Sequence, residues 1–317
     1  MLAFMILLQA LTVAVPGPAT SPEYLPLQVA QAEGDFAREG LTVTLRPVRS
    51  EVAAVQALTE GSVDLAAATL DAALRFGPRQ GEHPFRLVFG LTAAPPVALL
   101  AWRGAEPAIR SVEDLAGRRV GVPAPGAPER AWLQALLEWP GGVSIQVDPL
   151  SVGTRGAAAA LERGEVEAAL VPEPDATDLL ESGRALLLAD WRDRDAADRA
   201  LGKPTVNAAV LASVPRVPAP ATLAAFHRAL ARAVLRIEVA GPEALARRLP
   251  AAVVGSADRF RRRLETTTRI YLPEGAVSAE RLLSSIALIR AHHPLPPALR
   301  IPPPAAMVLG PAAGAPR

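Results

Sequence analysis

Apolar and polar positions along the chain fall into two matching series. Val13-Ala14-Val15-Pro16 runs into Gly17 and Pro18, and Val120-Gly121-Val122-Pro123 runs into Pro125 and Gly126. Each is a short apolar run with β-branched valines closed by proline and glycine, the pattern of a buried strand entering a loop. After the first, Ser50 can cap a helix through Glu60, with Val55 and Leu58 on one face and Gly61 as its stop, and Val63 to Ala68 reads as a strand. After the second, Thr154 opens a helix through Ala157 to Arg163, Gly164 stops it, and Val166 to Val171 is the next apolar strand. LTEGSVDLAAAT and LERGEVEAALVP, residues 58–69 and 161–172, are therefore equivalent units.

Two similar α/β lobes follow, each a mostly parallel sheet flanked by helices, because helices that alternate with short buried strands cover both sheet faces. The expected boundaries are 11–98 with 206–293 for a discontinuous first lobe, 99–205 for the second, and 294–317 for a proline-rich tail. VALLAW, Val97–Trp102, is the expected crossing between lobes, and VNAAVLA, Val206–Ala212, the expected return. From about Pro220 to Val239 the apolar positions Leu223, Phe226, Leu230, Val234 and Ile237 recur at helical spacing. Arg228, Arg232 and Arg236 lie on another face, which reads as solvated. A further helix spans about Ser278–His292. The eight prolines between Pro294 and Arg317 exclude a long helix or a central strand, so the tail is expected to wrap as extended chain with a disordered tip after Gly310.

Composition narrows the functional classes. The 317 residues suffice for two compact units, and the formal charge of +1, from 33 basic and 32 acidic residues, removes the electrostatic basis for binding nucleic acid. The absence of cysteine excludes disulfides, thiolate metal sites and cysteine catalysis. MLAFMILLQA, residues 1–10, has the length of a signal h-region without a basic flank. It reads either as a shortened signal segment or as a core-packed start.

Catalytic patterns are missing. There is no GxSxG, HExxH or GxxxxGK, and His83, His227, His292 and His293 stand in unrelated contexts. Glu173 with Asp175 could be an acid–base pair, but solvated acids in a strand-end loop explain them better. Binding is the stronger reading. In open α/β sheets ligands collect beyond the carboxyl ends of the strands, which here are the loops at 16–24, 69–71, 123–128, 151–155 and 172–175.

Longer segments carry a resemblance. PLQVAQAEGDFAREGLTVTL, AVQALTEGSVDLAAAT, SVEDLAGRRVGVPAPGAP and ALERGEVEAALVPEP, in that order, resemble the thiamine-precursor and sulfonate type of ABC substrate-binding proteins. The resemblance runs from about Leu11 to His292. It implies a type II periplasmic-binding fold, a small-molecule ligand buried on closure, and a periplasmic monomer without cofactor that serves a membrane ABC permease with its ATPase subunit. It also implies site residues. Thr69 takes the small-hydroxyl position at a first-lobe helix start, Gly126 the loop that gives backbone N–H groups, and Glu173 the acidic position facing the cleft. Tyr24 either stacks on a planar ligand or braces its helix, and Arg155 is either an anion clamp or a surface arginine. Ala127 departs from relatives that often carry serine there.

Two alternatives share the fold. A pyrimidine-precursor synthase of this type uses a PLP-lysine, a histidine and a cysteine motif, whereas this chain has no cysteine and its one lysine, Lys203, lies near the return crossing. A stand-alone sensor would resemble the effector domains of transcription regulators, whose DNA-binding module has no counterpart before the first predicted strand.

Overall fold

The computed structural model describes residues 9–124, 127–138, 144–153 and 156–309. Among them the strands are β1 (Gln9–Pro16), β2 (Leu41–Val48), β3 (Leu65–Thr69), β4 (Gln80–Glu82), β5 (Phe85–Thr92), β6 (Val97–Trp102), β7 (Arg119–Val122), β8 (Asp148–Ser151), β9 (Ala168–Pro172), β10 (Ala185–Asp190), β11 (Ala208–Ser213) and β12 (Ala298–Arg300). One sheet has the order β2-β1-β3-β11-β5 and the other β10-β6-β9-β7-β8. Each is mixed. β1 pairs parallel with β2 and β3, and β7 pairs parallel with β8 and β9, while β11 in the first sheet and β6 in the second run antiparallel to both neighbours.

The repeated unit has a physical reason at each position. Gly61 and Gly164, at φ of +72° and +69°, end the helices Glu51–Glu60 and Ala157–Glu162 in the left-handed turn that glycine adopts without strain. Three residues on, Asp64 and Glu167 clip one strand to the next. The Asp64 carboxylate accepts from the Thr12 N–H at 2.7 Å and that of Glu167 from the Arg119 N–H at 3.1 Å. Their own N–H groups donate to the Thr12 and Arg119 carbonyls. β1 and β3 are thereby set in the register Val13↔Leu65, and β7 and β9 in the register Val120↔Ala168.

The crossings are displaced from the sequence expectation. Val97–Trp102 is an inner strand of the second sheet, so the chain passes between lobes at 93–96, where Pro95 and Pro96 disfavour both helix and ladder. The return strand begins at Ala208 and is an inner strand of the first sheet, between β3 and β5.

The helix Pro220–Val239 buries its whole predicted stripe, and Phe226 stacks on Phe36 with ring centroids 5.2 Å apart. Its arginines lie on a partly solvated face, with side chains 57%, 37% and 28% exposed, and there make ion pairs that the sequence reading did not include. Arg228 and Arg232 bond Glu39, and Arg236 reaches the Asp35 carboxylate, which is wholly buried. The stripe therefore docks the segment 33–39. The tail also differs from plain extended chain. β12 pairs parallel with β4, Pro304–Met307 forms one helical turn with proline at its start, and the Leu309 N–H donates to the Leu87 carbonyl. Both elements are short enough, and placed at an edge, to satisfy the proline constraint. Gly126, Thr154, Arg155, residues 1–8 and the tip from Gly310 lie outside the described residues, as do the expectations that rest on them.

Candidate functional site

The loops after β1 and β3 face the second lobe, and helix starts bring their polar groups together. Thr69 caps the helix Leu70–Phe76, its Oγ1 accepting from the Ala72 N–H at 3.2 Å. The same hydroxyl donates to Glu51 Oε2. Glu51 is the first residue of the helix that Ser50 caps, and its other oxygen receives the hydroxyl of Tyr24. Tyr24 is buried, with its polar end tied down. Two of the residues singled out in the sequence, Tyr24 and Thr69, thus meet on a carboxylate that sequence reasoning did not select.

A second carboxylate lies beside the first. Glu23 accepts from Asn207 Nδ2 at 2.7 Å, and that amide also lies 3.3 Å from Thr92 Oγ1. Burial, reinforced by the charges of Glu51 and Glu129, pushes the Glu23 carboxyl up to about 8 from an ordinary 4.5. Burial likewise raises Glu51, against the hydrogen bonds from Thr69 and Tyr24. From the second lobe, Glu129 in the first turn of the helix Pro128–Leu137 is raised to about 7 by burial, with Glu51 and Asp71 adding to it. Asp71 itself is engaged by Arg75 at 2.9 Å and by His293 Nδ1 at 2.6 Å. None of Glu23, Glu51 and Glu129 has an ion-pair partner among the described residues. No group of three or more potential ligands there is arranged to hold a metal ion.

Glu173, the third described residue singled out in the sequence, belongs to a different cluster at the end of β9. Its side chain is fully buried. Oε1 takes hydrogen bonds from Arg192 and from Thr177 Oγ1, the latter at 3.0 Å, while Oε2 has no partner. Arg192, also buried, holds Asp190 through two further bonds of 2.8 Å. Tyr271 props the first loop from below by donating to the Pro22 carbonyl at 2.8 Å.

The lobes are drawn together along one side. Arg259 pairs with Asp175, Arg262 with Asp178 at 2.8 Å, Arg269 with Asp193 at 3.3 Å and Arg281 with Asp198 at 2.7 Å. Between Leu70, Asp71, Trp132 and Asn207 only about 10 Å³ of space remains, no more than one water occupies. This is a closed clamp.

Of the residues that the sequence did not single out, Glu23 lies within the marked loop 16–24 and Glu129 directly after the marked loop 123–128. Asn207 is a lone amide in an apolar strand run, a signal that was available. Thr69→Val is expected to lower stability by about 1–2 kcal/mol, because the cap on the Ala72 N–H is lost. Urea denaturation measures it, and an unchanged midpoint would show that the cap is not used.

A two-lobed α/β molecule, crossed twice by its chain and lined with polar groups where the strand ends of its lobes meet, is a protein of the type II periplasmic-binding fold. The chain belongs to the family described as NMT1/THI5 like, whose pattern matches residues 21–237. It is 30% identical over 169 residues to the taurine-binding periplasmic protein of Escherichia coli (strain K12), a match over 51% of this chain and 49% of that protein, so it spans about half the length of this curated relative. In structure it resembles the periplasmic aliphatic sulphonate binding protein SsuA of Escherichia coli, at a TM-score of 0.69 and 18% identity over 89% of this chain and 86% of the other. It also resembles the alkanesulfonate-binding protein SsuA of Xanthomonas axonopodis pv. citri bound to MOPS, at a TM-score of 0.63 and 18% identity over 92% and 98%. At these identities the structural likeness speaks for the fold.

Proposed function

We propose that this chain is the extracytoplasmic solute-binding component of an ABC importer. It takes up a small molecule that carries an ammonium or several N–H groups and delivers it to a membrane permease with its ATPase subunit. One observation carries the ligand class. Closure brings Glu23 and Glu51 of the first lobe and Glu129 of the second into one partly buried set that has no ion-pair partner among the described residues. Buried like charges are unfavourable unless a proton or a bound cation neutralises them, and an amine-bearing ligand supplies that neutralisation. The taurine-binding relative fits this reading, since taurine carries an ammonium group. Periplasmic placement follows from the same family role. Turnover is not part of the proposal, because the chain has no cysteine and its one lysine, Lys203, lies near the return crossing, outside the strand-end loops in sequence.

Thermal melting with a ligand panel tests the proposal. Taurine and aminopyrimidines should raise the melting temperature, whereas nitrate and ethanesulfonate should leave it where it is. Stabilisation by the simple anions alone would overturn the assignment of an amine-binding cleft.

A further inference from the structure

Asn207 directly precedes the return strand, and its backbone and its side chain serve different neighbours. The backbone stitches the crossings. Its N–H donates at 2.8 Å to the carbonyl of Thr92, the last residue before the outgoing crossing, and its carbonyl accepts at 2.7 Å from the Leu70 N–H, at the helix start that Thr69 caps. Close by, Thr205 Oγ1 donates to the Ala93 carbonyl at 3.1 Å. The side chain is buried and borders the one-water space between the lobes. Its Nδ2 is shared between Glu23 Oε1 at 2.7 Å and Thr92 Oγ1 at 3.3 Å.

An amide nitrogen donates and does not accept, so Glu23 Oε1 can only be an acceptor towards it. A proton on the Glu23 carboxyl therefore sits on Oε2. That oxygen is held less firmly, by a 3.4 Å contact with Ser21 Oγ. The two oxygens of one carboxyl are thus unequal. Oε1 belongs to the scaffold, and Oε2 is left to exchange its proton for a donor from the ligand.

We infer that Asn207 is a positioning residue of the binding site: through the 2.7 Å bond it fixes Glu23, presents Oε2 to the ligand and favours the form of the carboxyl that accepts an N–H group. This rests on the amine-binding reading and deepens it, because it assigns a residue that acts on the ligand only through Glu23. The bond from Asn207 works against burial and the charges of Glu51 and Glu129, which together raise the Glu23 carboxyl to about 8. The hydroxyls of Tyr24 and Tyr271 also lie within the field of Glu23. Without the amide, Glu23 should keep its proton to a higher pH still.

Asn207→Ala keeps both backbone bonds and removes only the amide. Ligand-free protein, isotope-labelled at its glutamate carboxyl carbons, is titrated by NMR, and the resonance missing from Glu23→Gln identifies Glu23. Its midpoint should rise by about half a unit or more in Asn207→Ala, as expected when a hydrogen bond to the charged form is lost. In calorimetry with taurine, the variant should lose about threefold more affinity at pH 7 than at pH 9, because more of the proton must be displaced at the lower pH. A side chain that merely stitched the hinge would weaken binding equally at both values and leave the midpoint alone. Circular dichroism checks that the variant folds, and if it does not, Asn207→Leu, which keeps the volume without the donor, is held to the same criteria. An unmoved Glu23 midpoint, or a loss of affinity uniform in pH, overturns the positioning role and leaves the amine-binding cleft standing. Failure of both taurine and aminopyrimidines to bind the wild-type protein overturns the amine-binding reading instead, while the NMR midpoint still decides the hold of Asn207 on Glu23.

Discussion

Capture of an amine-bearing ligand should strengthen about tenfold for each unit that pH rises between 7 and 8, and more steeply below 7. In the closed cleft the Glu23 carboxyl is raised to about 8 and that of Glu129 to about 7, so near pH 6 both hold protons. An ammonium group between them favours the ionised forms. Binding then releases one proton between the two values and two below the lower, which sets the slopes. Above 8 the affinity should level off. Ligand-free stability runs the other way. A carboxyl whose folded value lies above its ordinary 4.5 favours the folded, closed form fully only below that ordinary value, and the contribution is lost as pH rises to about 8. Titration calorimetry at pH 6.5 and 9, in buffers of different ionisation enthalpy, reads the released protons directly. A pH-independent affinity would remove these acids from the site.

Arg192→Met should destabilise the second lobe by about 3–5 kcal/mol, the range for removing one partner of a buried ion pair. Arg192 and Glu173 are 6% and 0% exposed in their side chains, so water cannot compensate the carboxylate left behind. Asp190 loses two bonds at the same time. Glu173→Gln should be milder, because it keeps the Thr177 contact and removes the charge rather than stranding it. The measurement can be confined to one lobe, since Trp102, Trp132, Trp139 and Trp191 are all the tryptophans and all fall in the second-lobe segment. Urea unfolding followed by tryptophan fluorescence should show the loss. A shift of less than about 1 kcal/mol would mean that solvent reaches the pair.

What the sequence discloses is what has a local cause. The helix Pro220–Val239 was legible to the residue because a proline opens it and a continuous stripe runs along it. The paired units 58–69 and 161–172 were legible because a left-handed glycine and a strand-clipping acid recur at fixed spacing. VALLAW illustrates the limit, since an apolar run has the same appearance as a crossing or as an inner strand, and only the prolines before it tell them apart. The acids of the cleft were hidden for another reason. Glu23, Glu51 and Glu129 are ordinary surface residues by type, and their altered acidity comes from neighbours that only folding supplies. The partners of the long helix's arginines were hidden likewise, lying some 190 positions earlier in the chain.

The seam that joins Arg259, Arg262, Arg269 and Arg281 to acids of the second lobe is electrically silent only while the lobes touch. Parting them uncovers a row of cations on one jaw and a row of anions on the other. Hinge motion therefore alters the dipole moment of the molecule as well as its outline. In a medium of ~0.15 M salt such a field fades over about 8 Å, and at ~0.01 M over about 30 Å. Open and closed forms consequently differ in electrical anisotropy, a difference that a charged surface senses only at near contact in ordinary salt and from much farther away in dilute solution.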